Sequence, residues 1–73
     1  MGQWAIRNNV RKLRFQHDEM TQQQLAEQVH VTRQTIVAIE KGKYAPSLEL
    51  AFRIARAFDV GLEEVFFLEE DKS

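Results

Sequence analysis

The stretch Thr21–Gly42, TQQQLAEQVHVTRQTIVAIEKG, decides the fold. Thr21 followed by Gln24 three residues on fits a capping box, in which two side chains satisfy orphan N–H groups of a helix's first turn. Leu25, Ala26 and Val29 then recur at helical spacing, which predicts a helix from about Gln22 to about Val29. His30–Val31 leaves room only for a tight connection. Thr32 caps the next helix, in which Ile36 and Ile39 face the core. Gly42 falls where a left-handed residue ends that helix, a conformation in which a Cβ is penalised. The expected unit is two helices joined by a tight turn. The second opens on an exposed polar cluster: Thr32, Arg33, Gln34 and Thr35.

Upstream, Asn8 or Asn9 can cap a first helix with Val10, Leu13 and Phe15 inward and its basic residues outward. His17–Glu19 reads as a turn, with His17 a solvated loop residue. Downstream, Pro46 blocks helix continuation and Ser47 caps a fourth helix with an apolar stripe of Leu48, Ala51, Ile54, Ala55 and Phe58. Gly61 starts a short fifth helix, with Glu63 and Glu64 in its positive first turn and Val65 and Phe66 inward. The ends, QWAI (Gln3–Ile6) and FFLE (Phe66–Glu69), are rich in β-formers. Two readings stay open for them. They pair as antiparallel strands shielding Trp4 and Leu68, or the N-terminus is disordered and the fifth helix longer. The last five residues, EEDKS, are expected to fray.

With 73 residues the chain has room for one domain, Met1–Ser73. A domain this small buries only about 60% of its unfolded surface. It contains no cysteine, so neither disulfides nor thiolate zinc sites can supplement the core. Tidy helix packing and oligomerisation remain. Met1–Asn8 lacks the apolar segment of a signal peptide. The apolar runs Ile36–Ile39 and Val65–Leu68 are far too short to cross a bilayer, so a cytoplasmic domain without membrane contact is expected.

The net charge of −1 argues against a generic polyanion binder. Its distribution says more. Arg7, Arg11, Lys12 and Arg14 make Met1–His17 basic, and Arg33, Lys41 and Lys43 outweigh Glu40 in Arg33–Ser47. Asp18–Thr32 and Gly61–Ser73 are acidic. If the two basic segments share a face, the molecule has a phosphate-facing side. On charge alone, a solvated, mixed surface is the favoured reading.

Nothing points to catalysis. There is no cysteine nucleophile, glycine-rich phosphate loop or convergent His/Asp/Ser set, and Glu63 and Glu64 point different ways on one helix. His17 and His30 lack partners at metal-ligand spacing. No cofactor and no metal are expected. Trp4 reads as a packing anchor.

The two-helix unit suits duplex DNA. The major groove admits one helix, which enters with its N-terminal end exposed and its rear gripped by a core. Val31, Ile36 and Ile39, backed by Leu25 and Val29, supply the grip. Arg33 can contact guanine bidentately and Gln34 adenine, while Thr35 offers a hydroxyl or a methyl. Val37 and Ala38 can reach a thymine methyl.

The segments TQQQLAEQVHVTRQTIVAIEKGK and PSLELAFRIA resemble the phage-repressor-type (XRE, lambda-Cro-like) helix-turn-helix family, the likeness running from Asn8 to Phe66. It is nearest to small dimeric repressors of the cytolysin-repressor type. That resemblance implies a mainly α fold, a five-helix lambda-repressor-like domain with its helix-turn-helix at about residues 21–41, and favours a two-stranded sheet from the termini. It implies base reading by Arg33, Gln34, Thr35 and Ala38. DNA-backbone contacts are implied for Gln22, Thr32, Lys41, Lys43 and Tyr44, and a structural ion pair for Arg14 and Glu40. The chain departs from the family in three places. Arg14–Gln22 is one residue longer than usual and lacks the family's glycine, His30 stands where glycine is usual, and Thr32 where serine is commoner.

The expected function is therefore a DNA-binding transcriptional regulator, a repressor, working as a homodimer on a near-palindromic operator in double-stranded DNA. Leu62, Phe66, Phe67 and Leu68 are the expected dimer interface. No small-molecule effector domain is expected. Two competing expectations are a protein–protein adaptor or antitoxin-like module of the same fold, in which Phe67 and Leu68 dominate binding, and a helical domain without a ligand.

Overall fold

The structure, a computed structural model, describes residues 3–71; of the fraying expected at the C-terminus, Lys72 and Ser73 lie outside the described residues. Strand β1 (Gln3–Asn8) leads into helices α1 (Val10–Gln16), α2 (Gln22–Val29), α3 (Arg33–Glu40), α4 (Leu48–Ala57) and α5 (Leu62–Val65), and strand β2 (Phe66–Asp71) follows. The strands pair antiparallel, with Ile6 opposite Leu68 and Asn8 opposite Phe66. The segments Gln3–Asn8 and Phe66–Asp71 are thus strands, and Glu69–Asp71 belong to β2 rather than to a frayed tail. No helix among the described residues is long and apolar enough to cross a membrane.

One core joins all five helices. Val10 and Leu13 of α1 meet Leu25, Ala26 and Val29 of α2, Ile36 and Ile39 of α3, Leu50, Ile54 and Ala55 of α4, and Val65 of α5, with Met20 and Phe58 from the connections. Val31 and Phe66 pack at its edge. The capping expectations hold at three helices. Thr21 Oγ1 accepts from Gln24 N–H while Gln24 Oε1 accepts from Thr21 N–H. Thr32 accepts from Thr35 N–H and Ser47 from Leu50 N–H. At α1 the capping side chain is Asn8, whose Oδ1 accepts from Val10 N–H, and not Asn9.

Several inward assignments fail for geometric reasons. Phe15 is 51% exposed, because at about 100° per residue it points away from the arc of Val10, Leu13 and Arg14. Leu48 is 67% exposed, and Leu50 takes its place in the α4 stripe with Ala51, Ile54, Ala55 and Phe58. Leu48 sits in the first turn at that stripe's edge. Trp4 and Leu68 are not shielded by the sheet but stay 64% and 63% exposed. His17 is no solvated loop residue. It is half-buried, its Nδ1 lies 3.0 Å from Leu13 O and its Nε2 3.0 Å from Phe58 O, tying α1 to the end of α4.

Asn8 fastens the sheet to the helices. Its Nδ2 donates to Ile39 O at 2.9 Å, while Asn9 N–H donates to Val65 O at 2.8 Å. The base of the ribbon is thereby fixed to the last turn of α3.

Candidate nucleic-acid interface

Helix α3 is held from behind and open in front. Ile36 and Ile39 are fully buried, Arg33 and Gln34 are exposed, and Thr35, Val37 and Ala38 are half-buried. The cap that starts it also orders its polar cluster, since the Thr32 and Thr35 hydroxyls are 3.1 Å apart and share a hydrogen bond. Its far end closes with Gly42 at φ +74°, where Gly42 N–H donates to Ile39 O and Lys43 N–H to Ala38 O. That paired pattern satisfies the last carbonyls and turns the chain sharply. Lys41, Lys43 and Tyr44 project from this turn and are exposed.

The connection before α3 is closed in a related way, with the His30 and Val31 N–H groups both donating to Ala26 O. His30 adopts φ +63°, and Val31 N–H donates to Ala26 O at 3.0 Å. Histidine tolerates this region better than most side chains, but not as freely as glycine. The α1–α2 connection is closed without glycine by two successive left-handed residues, Asp18 and Glu19, at φ +57° and +53°.

Behind the turn lies an ionic brace. Arg14 is 7% exposed. Its Nε and Nη2 donate to the Glu40 carboxylate at 2.7 and 3.1 Å, and its Nη1 donates to Met20 O at 2.8 Å. Gln22 Nε2 donates to the same Glu40 carboxylate at 3.3 Å. One carboxylate at the end of α3 thus ties α1 to α2, and Arg14 in turn holds the connection between them through Met20 O. Three cationic groups that form no ion pair among the described residues, Arg11, Arg33 and Lys41, border this brace on one groove.

A helix-turn-helix family model matches residues 11–65. The chain belongs to the phage-repressor-type helix-turn-helix family. It is similar to an uncharacterised helix-turn-helix-type transcriptional regulator of Methanocaldococcus jannaschii, 49% identical over 67 residues, 92% of this chain and 100% of that one. One from Bacillus subtilis is 50% identical over 66 residues, 90% of this chain and 98% of that one. One from Methanothermobacter thermautotrophicus is 60% identical over 53 residues, 71% of this chain and 77% of that one.

In this helix-turn-helix, α2 and α3 are the paired helices. The structure brings Arg33, Gln34, Thr35 and Ala38 onto the outward side of α3 and gathers Gln22, Thr32, Lys41, Lys43 and Tyr44 around its two ends. The residues expected at a dimer interface are not gathered so neatly. Leu62 and Phe66 are half-buried, whereas Phe67 and Leu68 are exposed and, as neighbours on a strand, point to opposite faces. Leu68 shares its face with Ile6 and, farther out, Trp4. Sequence reasoning missed the Asn8 bridge to Ile39 and the buried Met20. An asparagine between a strand pattern and a helix pattern gave only a capping signal.

Proposed function

We propose that this chain is a DNA-binding transcriptional regulator, a repressor that acts as a homodimer in the cytoplasm and places α3 of each copy in the major groove of one half-site. The observation that carries the reading is the exposed Arg33–Gln34–Thr35 turn on a helix anchored from behind by Ile36, Ile39 and the Arg14–Glu40 pair. Arg33 reads guanine and Gln34 adenine. Thr35, its hydroxyl already engaged with Thr32, offers its methyl, and Ala38 meets a thymine methyl farther along. Gln22, Thr32, Lys41, Lys43 and Tyr44 contact the DNA backbone and set the register. Repression follows from occupying a site that polymerase needs. The relatives' names as helix-turn-helix-type transcriptional regulators support this reading.

Selection of bound fragments from random duplex DNA, then sequencing, tests it. The expected product is a near-palindrome with half-sites about 10–10.5 base pairs apart. Arg33→Ala should cost about 1–3 kcal/mol and relax preference at one position per half-site. Lys43→Ala should weaken binding to all sequences alike and flatten the salt slope by about one. If Arg33→Ala binds with base preferences intact, the reading fails. Binding carried by exposed apolar residues and insensitive to salt would instead favour an adaptor.

A further inference from the structure

We propose that Arg11 is a phosphate-contacting residue of the interface, oriented by Phe15; the inference rests on the reading that this face binds duplex DNA. An open groove of about 630 Å³ lies between α1, the start of α2 and α3, lined among others by Arg11, Phe15, Gln22, Arg33 and Lys41. Besides the paired Arg14, its cations come from two helices: Arg11 from α1, and Arg33 and Lys41 from the two ends of α3. The two basic segments of the sequence therefore meet along one groove. Of the acids in its lining, Glu40 is matched by Arg14, and Glu19 is the other. Arg11 forms no ion pair among the described residues.

Phe15 accounts for how Arg11 is held. This ring stays half in water on the outer side of α1, where it adds little to the core. The Arg11 guanidinium lies 5.5 Å from the ring centroid, and the Glu40-paired Arg14 guanidinium lies 5.4 Å from it. A guanidinium over an aromatic face gains cation–π attraction and loses rotamer freedom before any ligand arrives, while the N–H groups at its edge remain able to donate. Such pre-ordering reduces the entropy lost on contact. In helix-turn-helix docking the major-groove helix is flanked by the sugar–phosphate backbone, so a donor across the groove from Arg33 faces phosphate rather than a base edge.

The experiment measures affinity of the full chain for its selected duplex and for an unrelated duplex, by fluorescence anisotropy between 50 and 200 mM salt. Arg11→Ala should weaken both complexes by the same factor, about tenfold for a lost charge-assisted hydrogen bond. It should also reduce the salt slope by about 0.9. Arg11→Lys should retain the slope and lose part of the affinity. Phe15→Ala should weaken binding a few-fold with the slope unchanged, because the charge remains. Lys12→Ala, next in sequence but not lining the groove, should change neither. Thermal melts confirm folding, and Arg11→Gln replaces any Arg11→Ala protein that does not fold. A steep wild-type slope that Arg11→Ala or Arg11→Gln leaves unaltered overturns the role of Arg11 and leaves the regulator reading standing. A wild-type chain with no affinity for any duplex overturns both.

Discussion

Glu40 illustrates how one side chain can set the geometry of an interface it need not touch. Its carboxylate accepts from two nitrogens of Arg14 and from Gln22. Removing one partner of a buried pair is far costlier than the pair's net contribution, because the survivor is left charged and uncompensated. Glu40→Ala is therefore expected to destabilise the chain by about 3–5 kcal/mol. A core this small rarely supplies more than about 3–5 kcal/mol in all. Urea titration followed by circular dichroism should show a largely unfolded population at 25 °C, and a variant as stable as wild type would refute the brace. His30 makes a separate prediction, since it carries the left-handed turn between α2 and α3. His30→Val, β-branched at positive φ, should cost about 1–3 kcal/mol from backbone strain. His30→Gly should fall within about 1 kcal/mol of wild type, strain relief offsetting greater unfolded-state freedom.

The helices show how far local signals reach. Three of them end on a left-handed residue followed by an N–H that reaches five residues back: His30 after α2, Gly42 after α3 and Asp59 after α4. Only Gly42 announces itself by residue type. His30 is marked only by its place in the family pattern, and Asp59 by nothing, because an aspartate between Phe58 and Val60 carries no unique backbone signal. The caps at Thr21, Thr32 and Ser47 were legible because a hydroxyl before an apolar period has one economical use. Phe15 and Leu48 were misplaced for the opposite reason, since an apolar residue near a helix end satisfies the period without being covered. The paired strands were not fixed by the residues alone, and the family likeness tipped the balance. Thr32 carries the test at this scale. Thr32→Ala should cost about 0.5–2 kcal/mol in thermal unfolding, as for other lost caps, and Thr32→Ser should recover most of it. Equal stability of all three proteins would mean that the cap contributes nothing to α3.

At the scale of the molecule, the proposed homodimer must satisfy the DNA and the sheet together. Two half-sites one helical turn apart hold their reading helices about 34–36 Å from each other. The molecule measures 39 × 21 × 21 Å, dimensions that bracket such a separation for two copies in contact. The ribbon offers the surface for that contact. Ile6 pairs with Leu68, and Trp4 lies farther out on the same face, all three exposed in the single chain. A row of apolar side chains in water is better covered, and a two-stranded ribbon is only marginally stable by itself. Because Asn8 binds the foot of this ribbon to Ile39 at the end of α3, a contact made through the sheet would also fix the spacing and orientation of the two α3 helices. Leu68→Asp should therefore shift the chain toward monomer in sedimentation velocity and weaken binding to the palindrome more than binding to one half-site. Phe67→Asp, on the opposite face, should do so less. A Leu68→Asp protein that is folded, dimeric and undiminished in its preference for the palindrome would remove the sheet from the dimer, and the copies would have to meet through another surface.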